Sequence, residues 1–261
     1  GNRRSKDIVP GKGGTAKRRE DPKRRLNTIF EQALRAMMEQ NKSFPFQSAV
    51  KDPAYRKVVS TPIDLSIIRD RCYGLASFSR GGRVQTLYNS KKEFEEDIAL
   101  VVSNCHAYNQ YREPQLVVDV MDLERVCRSK LEENACAIAE AEASIQLAHE
   151  LADLTTKLIT SVEFQPFVRP LSSKYYGGKR PLALHTILDK ARAFGYSSRR
   201  EWLDHLVLLR DNVYDHCSTR FPHLLRISDL LVVRGQALAG IDAGPCRWNP
   251  EFAQLPSVVT W

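Results

Sequence analysis

The chain has 261 residues, enough for two domains of ordinary size, and its 43% hydrophobic and 27% charged residues exclude wholesale disorder and a collagen-like fibre. No window approaches 18 consecutive apolar residues, the N-terminal region has no apolar secretion-signal core, and the six cysteines form no C-x-x-C. An intracellular, soluble, metal-free protein with reduced thiols is the expectation.

The net charge of +8 sits at one end. Residues 1–25 hold ten Lys/Arg against three acidic residues, which leaves +1 for the rest of the chain. Such a basic tail attracts phosphate backbone, serves as a nuclear-import address through Lys17-Arg18-Arg19 and Lys23-Arg24-Arg25, or is an ordinary solvated flank. The body lacks a large positive field, which disfavours groove reading of nucleic acid.

From Pro22 onward Leu26, Ile29, Phe30, Leu34, Met37 and Met38 recur at three- and four-residue steps and predict a helix. It breaks at Ser43-Phe44-Pro45-Phe46, because proline lacks a backbone donor and disfavours helix before it. An irregular stretch is expected up to Thr61-Pro62. Asp64 then caps a short helix through Leu65, Ile67, Ile68 and Cys72. Ser77 to Thr86 reads as a loop. Ser90 caps the next helix, with Glu93 completing a capping box and Phe94, Ile98, Val101, Val102 and Cys105 facing inward. Pro114 opens a fourth helix carrying Leu116, Val117, Val120, Leu123 and Val126. Gln115 to Gln165 has no glycine or proline, so one very long helix or two abutting ones form a stiff joint.

An internal repeat organises the rest. With a shift of 108 residues, Tyr88 to Leu123 falls on Tyr196 to Leu231 without a gap. Tyr88/Tyr196, Ser90/Ser198, Glu93/Glu201, Asn104/Asn212, Pro114/Pro222, Leu116/Leu224 and Leu123/Leu231 are identical, and Phe94 meets Trp202. Ala148 to Val162 followed by Phe164-Gln165-Pro166-Phe167 echoes the first helix and its break. The expected fold is all-α: two left-handed four-helix bundles in tandem, joined by a stiff helical connection. The boundaries read 1–21 for a basic disordered tail, 22–141 and 142–239 for the bundles, and 240–261 for an irregular C-terminal segment.

Taken in order, Phe44-Pro45-Phe46, Asp52-Pro53-Ala54-Tyr55, Thr61-Pro62-Ile63-Asp64-Leu65 and the helix ending in Asn104-Cys105-His106-Ala107-Tyr108-Asn109 resemble the bromodomain family: its W-P-F shelf, proline–tyrosine segment, P-M-D-L motif and Y-N signature. A doubled unit of this kind looks like those of the largest general-transcription-factor subunit and of kinetoplastid bromodomain factors. The resemblance implies a non-enzymatic reader of acetylated lysine, in the nucleus, acting on histone tails or other acetylated nuclear proteins beside other transcription or chromatin factors. It implies no cofactor and no metal.

Acetyl-lysine is a neutral amide on an apolar stem, so a selective pocket needs apolar walls, one fixed amide partner and no carboxylate to attract the charged form. By resemblance Asn109 donates to the acetyl carbonyl and Tyr55 reaches it through a water. Phe44, Pro45, Phe46 and Val50 wall one side, Tyr108 and Cys105 lie at the base, and Leu116 is the gate. A second pocket would use Phe167, Tyr175, Tyr176, Cys217 and Leu224. There Cys217 falls opposite Asn109, and a thiol is a poor substitute for an amide; Ala183 falls where Asp64 stands. The second copy therefore reads as degenerate or of altered specificity. The rival reading is a helical interaction scaffold of a nuclear complex with vestigial pockets. An enzyme ranks last, because no phosphate loop, paired carboxylates or activated nucleophile is present.

Overall fold

Asp21, in extended conformation, accepts the N–H groups of Lys23 and Arg24 and starts α1 (Pro22–Met38), whose stripe through Leu26, Phe30, Leu34 and Met37 is fully buried. In the computed structural model, which describes residues 20–75, 87–170, 182–217 and 221–241, a 3-10 helix at Asn41–Phe46 follows, with Pro45 inside it. Then come α2 (Tyr55–Val58), α3 (Leu65–Cys72), α4 (Lys91–Asn109), α5 (Pro114–Glu133) and α6 (Ala135–Thr160). A second 3-10 helix, Val162–Phe167, leads to α7 (Leu184–Arg192), α8 (Arg199–Cys217) and α9 (Pro222–Ala239). The expected all-α class is found: among the described residues there is no strand, and no helix is long and apolar enough to cross a membrane.

Three local expectations need correction or choice. The stretch before Thr61 is not wholly irregular, since α2 lies in it. The Gln115 to Gln165 region is two helices, broken at Asn134, where φ is −107° and ψ is 13°. Ser90 caps α4 as expected, accepting the N–H of Glu93 at 3.2 Å, but the carboxylate of Glu93 reaches one residue further back, to the N–H of Asn89 at 3.1 Å. The same carboxylate oxygen also accepts from Arg71 at 3.1 Å. Residues 1–19 of the basic tail, the whole Ser77 to Thr86 loop and the C-terminal segment beyond Ile241 lie outside the described residues.

Two hydrophobic clusters result. The first gathers α1, α3, α4, α5 and the start of α6, with Phe30 stacked on Phe94 at 4.7 Å and Tyr88 edge-on to both. The second gathers the end of α6 with α7, α8 and α9 around Trp202. Helices α4 and α8 both begin and end 108 residues apart, and α5 and α9 begin so. Tyr88 and Tyr196, Phe94 and Trp202, and Leu123 and Leu231 are buried in their respective clusters.

Size is balanced between partners. Phe94 and Cys127 are buried in the first cluster. At the same offset the second cluster has the larger Trp202 and Gly235, where an added Cβ would lie 2.4 Å from the Leu206 Cδ1 and 3.7 Å from the Trp202 ring. The Trp202 indole N–H donates to the Thr155 hydroxyl at 2.9 Å. A polar clamp also recurs. Arg71 bonds Glu93 at 3.1 Å and Asp97 at 3.0 Å while lying 4.0 Å over the Tyr88 ring. Lys190 bonds Glu201 at 3.0 Å and lies 4.2 Å over the Tyr196 ring. In the first clamp Tyr88 donates to Asp97 at 2.7 Å, and in the second Tyr196 meets His205 at 2.9 Å.

Trp202→Phe should therefore lower unfolding free energy by about 2–4 kcal/mol, from lost volume and the lost indole bond to Thr155, whose hydroxyl keeps only its own bond to the Leu151 carbonyl. Gly235→Ala should cost less in the Trp202→Phe background than alone, because the smaller ring lets Leu206 retreat. A double-mutant cycle by urea denaturation measures both, and strict additivity would show that the two positions are not packed together.

Candidate functional site

A cavity of about 440 Å³ opens where the 3-10 helix, the segment after it, α2, α4 and the start of α5 converge. Its lining includes all nine residues expected of a first pocket: Phe44, Pro45, Phe46, Val50, Tyr55, Cys105, Tyr108, Asn109 and Leu116. Phe46, Tyr55 and Cys105 are buried, Leu116 and Asn109 half-buried, and Phe44 is 80% exposed. Phe44 thus stands at the mouth, whereas Phe46 forms the wall. The residues after Phe46 are also the ones that place Val50, Ala49 and Ser48 along the opening.

Asn109 is the last residue of α4. Its carbonyl accepts the N–H groups of Arg112 at 3.0 Å and Glu113 at 2.9 Å, which fixes the backbone from the far side. Asparagine often closes a helix by adopting left-handed backbone, but Asn109 does not: among the described residues, Phe194 is the residue other than glycine with positive φ. The asparagine is therefore not there for its backbone. Its amide donates to the Cys105 sulfur at 3.5 Å, a weak acceptor that a carbonyl oxygen would readily outcompete.

Tyr55 opens α2 with its side chain 6% exposed, and burial, followed by the neighbouring Cys105 and Asp64, pushes its phenol up from the ordinary value. Cys105 donates weakly to the Leu116 carbonyl at 3.6 Å, and burial pushes its thiol up as well. A thiol in that state is not a nucleophile.

Tyr108 corrects the expectation that it sits at the base. Its ring meets Tyr55 edge-on at 5.1 Å, but its hydroxyl points to the solvent side, where it donates to Asp52 and accepts from Arg112 at 2.7 Å. The Arg112 guanidinium lies 4.4 Å over the same ring. This latch ties the segment before α2 to the end of α4. Asp52 is itself set by an Asx-type turn, in which it accepts the N–H of Ala54 at 2.8 Å.

The expected carboxylate-free lining is not found, since Asp52, Asp64 and Glu113 also line the cavity. Two of them are occupied. Asp64 caps α3 through the N–H groups of Ser66 and Ile67, and Asp52 is held by the latch. Glu113 is exposed at the rim. Ile63 and Val101 complete the apolar part. On the second helix group, Phe167 and Leu224 are buried in the second cluster, and Cys217 ends α8 as Asn109 ends α4. The side chain of Cys217, together with Tyr175 and Tyr176, lies outside the described residues.

The Tyr108 hydroxyl, and less strongly the Ala54 N–H, hold the Asp52 carboxyl below its ordinary value of 3.8. A lowered carboxyl pKa adds stability that is complete above the ordinary value and fades as pH falls through the lowered one. Tyr108→Phe should therefore destabilise the chain most near neutral pH, and the difference from the parent should shrink on acidification below 3.8. Urea midpoints measured from neutral to acid pH check this; a difference independent of pH would remove Asp52 from the latch.

Residues 30–119 match the family model for the bromodomain. Transcription initiation factor TFIID subunit 1 of Drosophila melanogaster is 28% identical over 228 residues, 78% of this chain and 10% of that protein. The same subunit of Oryza sativa subsp. japonica is 28% identical over 134 residues, 50% of this chain and 7% of that protein. The chain thus spans a tenth or less of the length of these relatives. The solved bromodomain of human BAZ1A is 25% identical and covers 41% of this chain and 91% of that one, with a TM-score of 0.32. The matched residues run from the middle of α1 into α5 and enclose the cavity, so it is the first helix group that is similar to the bromodomain family.

Proposed function

We propose that the chain reads acetylated lysine through the cavity at Asn109, on histone tails or other acetylated nuclear proteins, as part of a transcription or chromatin complex. One observation carries this reading: an asparagine amide at the end of α4, with a backbone tied elsewhere and a sulfur as its acceptor, faces a cavity walled by Phe46, Tyr55, Val101 and Leu116. Asn109 would donate to the acetyl carbonyl, and Tyr55 would hold the same oxygen through a water. Phe44, Pro45 and Val50 would flank the stem, Leu116 would gate it, and Tyr108 would brace the rim with Asp52. The oxygens of Asp64 and Asp52 that are engaged in the cap and the latch are less free to pair directly with an unmodified ammonium, while Glu113 at the rim suits a basic residue beside the mark.

A binding role fits this cavity better than a catalytic one. The Cys105 thiol is pushed up by burial, and His106 is exposed on the next helix position, facing elsewhere. For residues 142–239 the reading is a second, divergent bromodomain within the 22–141 and 142–239 division. The bounds of α4 and α8, the core positions and the clamp residues on and before α4 recur at the 108-residue offset, and α3 with its clamp cation Arg71 recurs at 119 as α7 with Lys190, whereas Cys217 and Ala183 replace Asn109 and Asp64. That replacement favours a supporting role for this half. Residues 1–25 would serve nuclear import or add a sequence-independent phosphate contact.

The test is an NMR titration of the whole chain with acetylated and unmodified histone-tail peptides. Affinity for a single mark should lie between roughly 1 μM and 0.5 mM, since one amide stem carries limited binding energy. Asn109→Ala should weaken binding at least about tenfold, the scale of one lost buried hydrogen bond. Binding that ignores the acetyl group, or survives Asn109→Ala unchanged, would leave the scaffold reading in its place.

A further inference from the structure

Phe194 has φ of +56°, a conformation that costs a side-chain-bearing residue about 1 kcal/mol. It follows the end of α7, where its N–H bonds the Ala191 carbonyl at 3.1 Å and the N–H of Gly195 bonds the Lys190 carbonyl at 2.8 Å. This pair of bonds closes a helix through one left-handed residue. Helix α3 ends in the same way: Gly74 bonds Arg71 at 3.0 Å and Leu75 bonds Asp70 at 2.9 Å, and the left-handed residue there is Gly74, with φ of +67°. Glycine takes this conformation without strain. A phenylalanine in it persists only where its side chain gains elsewhere.

The gain is in the other helix group. Phe194 lies between α7 and α8, yet its ring packs against the first hydrophobic cluster. With Pro22 and Arg25 of α1 and Ala141 and Ser144 of α6 it lines a groove of about 580 Å³. Two residues on, Tyr196 is buried in the second cluster. Three consecutive residues thus serve both cores. Gly195 permits the bend, since a Cβ there would lie 2.4 Å from Lys190 Cγ and 2.8 Å from its carbonyl oxygen.

We propose that Phe194 is an intramolecular dock, which holds the α7–α8 corner on the first core so that the two helix groups move as one body rather than hinging about α6. This goes beyond the acetyl-lysine reading and does not depend on it.

Phe194→Gly separates the two roles the residue could have, because glycine suits the left-handed position and removes only the ring. The experiment measures backbone residual dipolar couplings and thermal unfolding of the full chain. The parent should fit one alignment tensor for both helix groups. Phe194→Gly should require two, and its unfolding should split into two transitions. Phe194→Leu, which keeps an apolar side chain on the first core, should retain the single tensor. A Phe194→Gly chain that keeps one tensor and one transition, at equal or higher Tm, would make Phe194 a local helix end and overturn the dock. A parent that already needs two tensors would overturn it as well.

Discussion

Helix α6 is one unbroken ladder of backbone hydrogen bonds that has to bury side chains in two cores at once. Ile138, Ala141 and Ile145 enter the first cluster, and Leu151, Leu154 and Leu158 enter the second. At 3.6 residues per turn these two sets lie on faces roughly a third of a turn apart. The second set of helices is therefore carried round the α6 axis relative to the first, and the break at Asn134 lets α5 fold back on α1 before that ladder begins. A flexible joint could not transmit this offset.

Within that frame the two helix groups keep what packing demands and differ where the cavity is lined. The residues before α3 and α7 have nearly the same extended backbone, φ −139° at Asp64 and −140° at Ala183, but only Asp64 satisfies the first N–H groups of its helix. Helices α4 and α8 stop at the same offset, one with an amide and the other with a cysteine. Core positions vary by compensation: a larger ring at Trp202 meets an empty Gly235. Core exchange is limited by volume, so changes come in pairs. Residues that face a cavity have no packing partner to compensate them, and there substitution changes chemistry outright.

The helices were legible because their stripes and caps are local properties: Asp64, Ser90 and Pro114 mark helix starts in sequence as they do in space. The nine cavity residues were legible as an ordered set of short motifs. The latch was not, because Asp52 meets Tyr108 across 56 positions, and only the packing of α2 on α4 brings them together. The capping box was misread by one residue, since Arg71 on another helix competes for the Glu93 carboxylate. Phe194 was invisible for a similar reason. A phenylalanine before a glycine carries no local sign that its ring belongs to a distant core.

The clamp on α3 and its counterpart on α7 show how one shape can rest on two chemistries. In the first, Arg71 faces two carboxylates. In the second, Lys190 faces Glu201 and, at 3.5 Å, the His205 Nε2. An ammonium only donates, so Nε2 has to be the acceptor, and Nδ1 then carries the proton toward the Tyr196 hydroxyl. Burial first, and then Lys190, lower the His205 pKa from 6.5, which keeps the ring in that neutral form. Glu201, held at about 2 chiefly by the Ser197 N–H, supplies the single negative charge that Lys190 requires. Replacing Asp97 by a histidine thus removes one half-buried charge and keeps both hydrogen bonds, provided that the cation beside it can never be an acceptor. Lysine and arginine both meet that condition, which is why the exchange of Arg71 for Lys190 preserves the clamp while its charge balance changes.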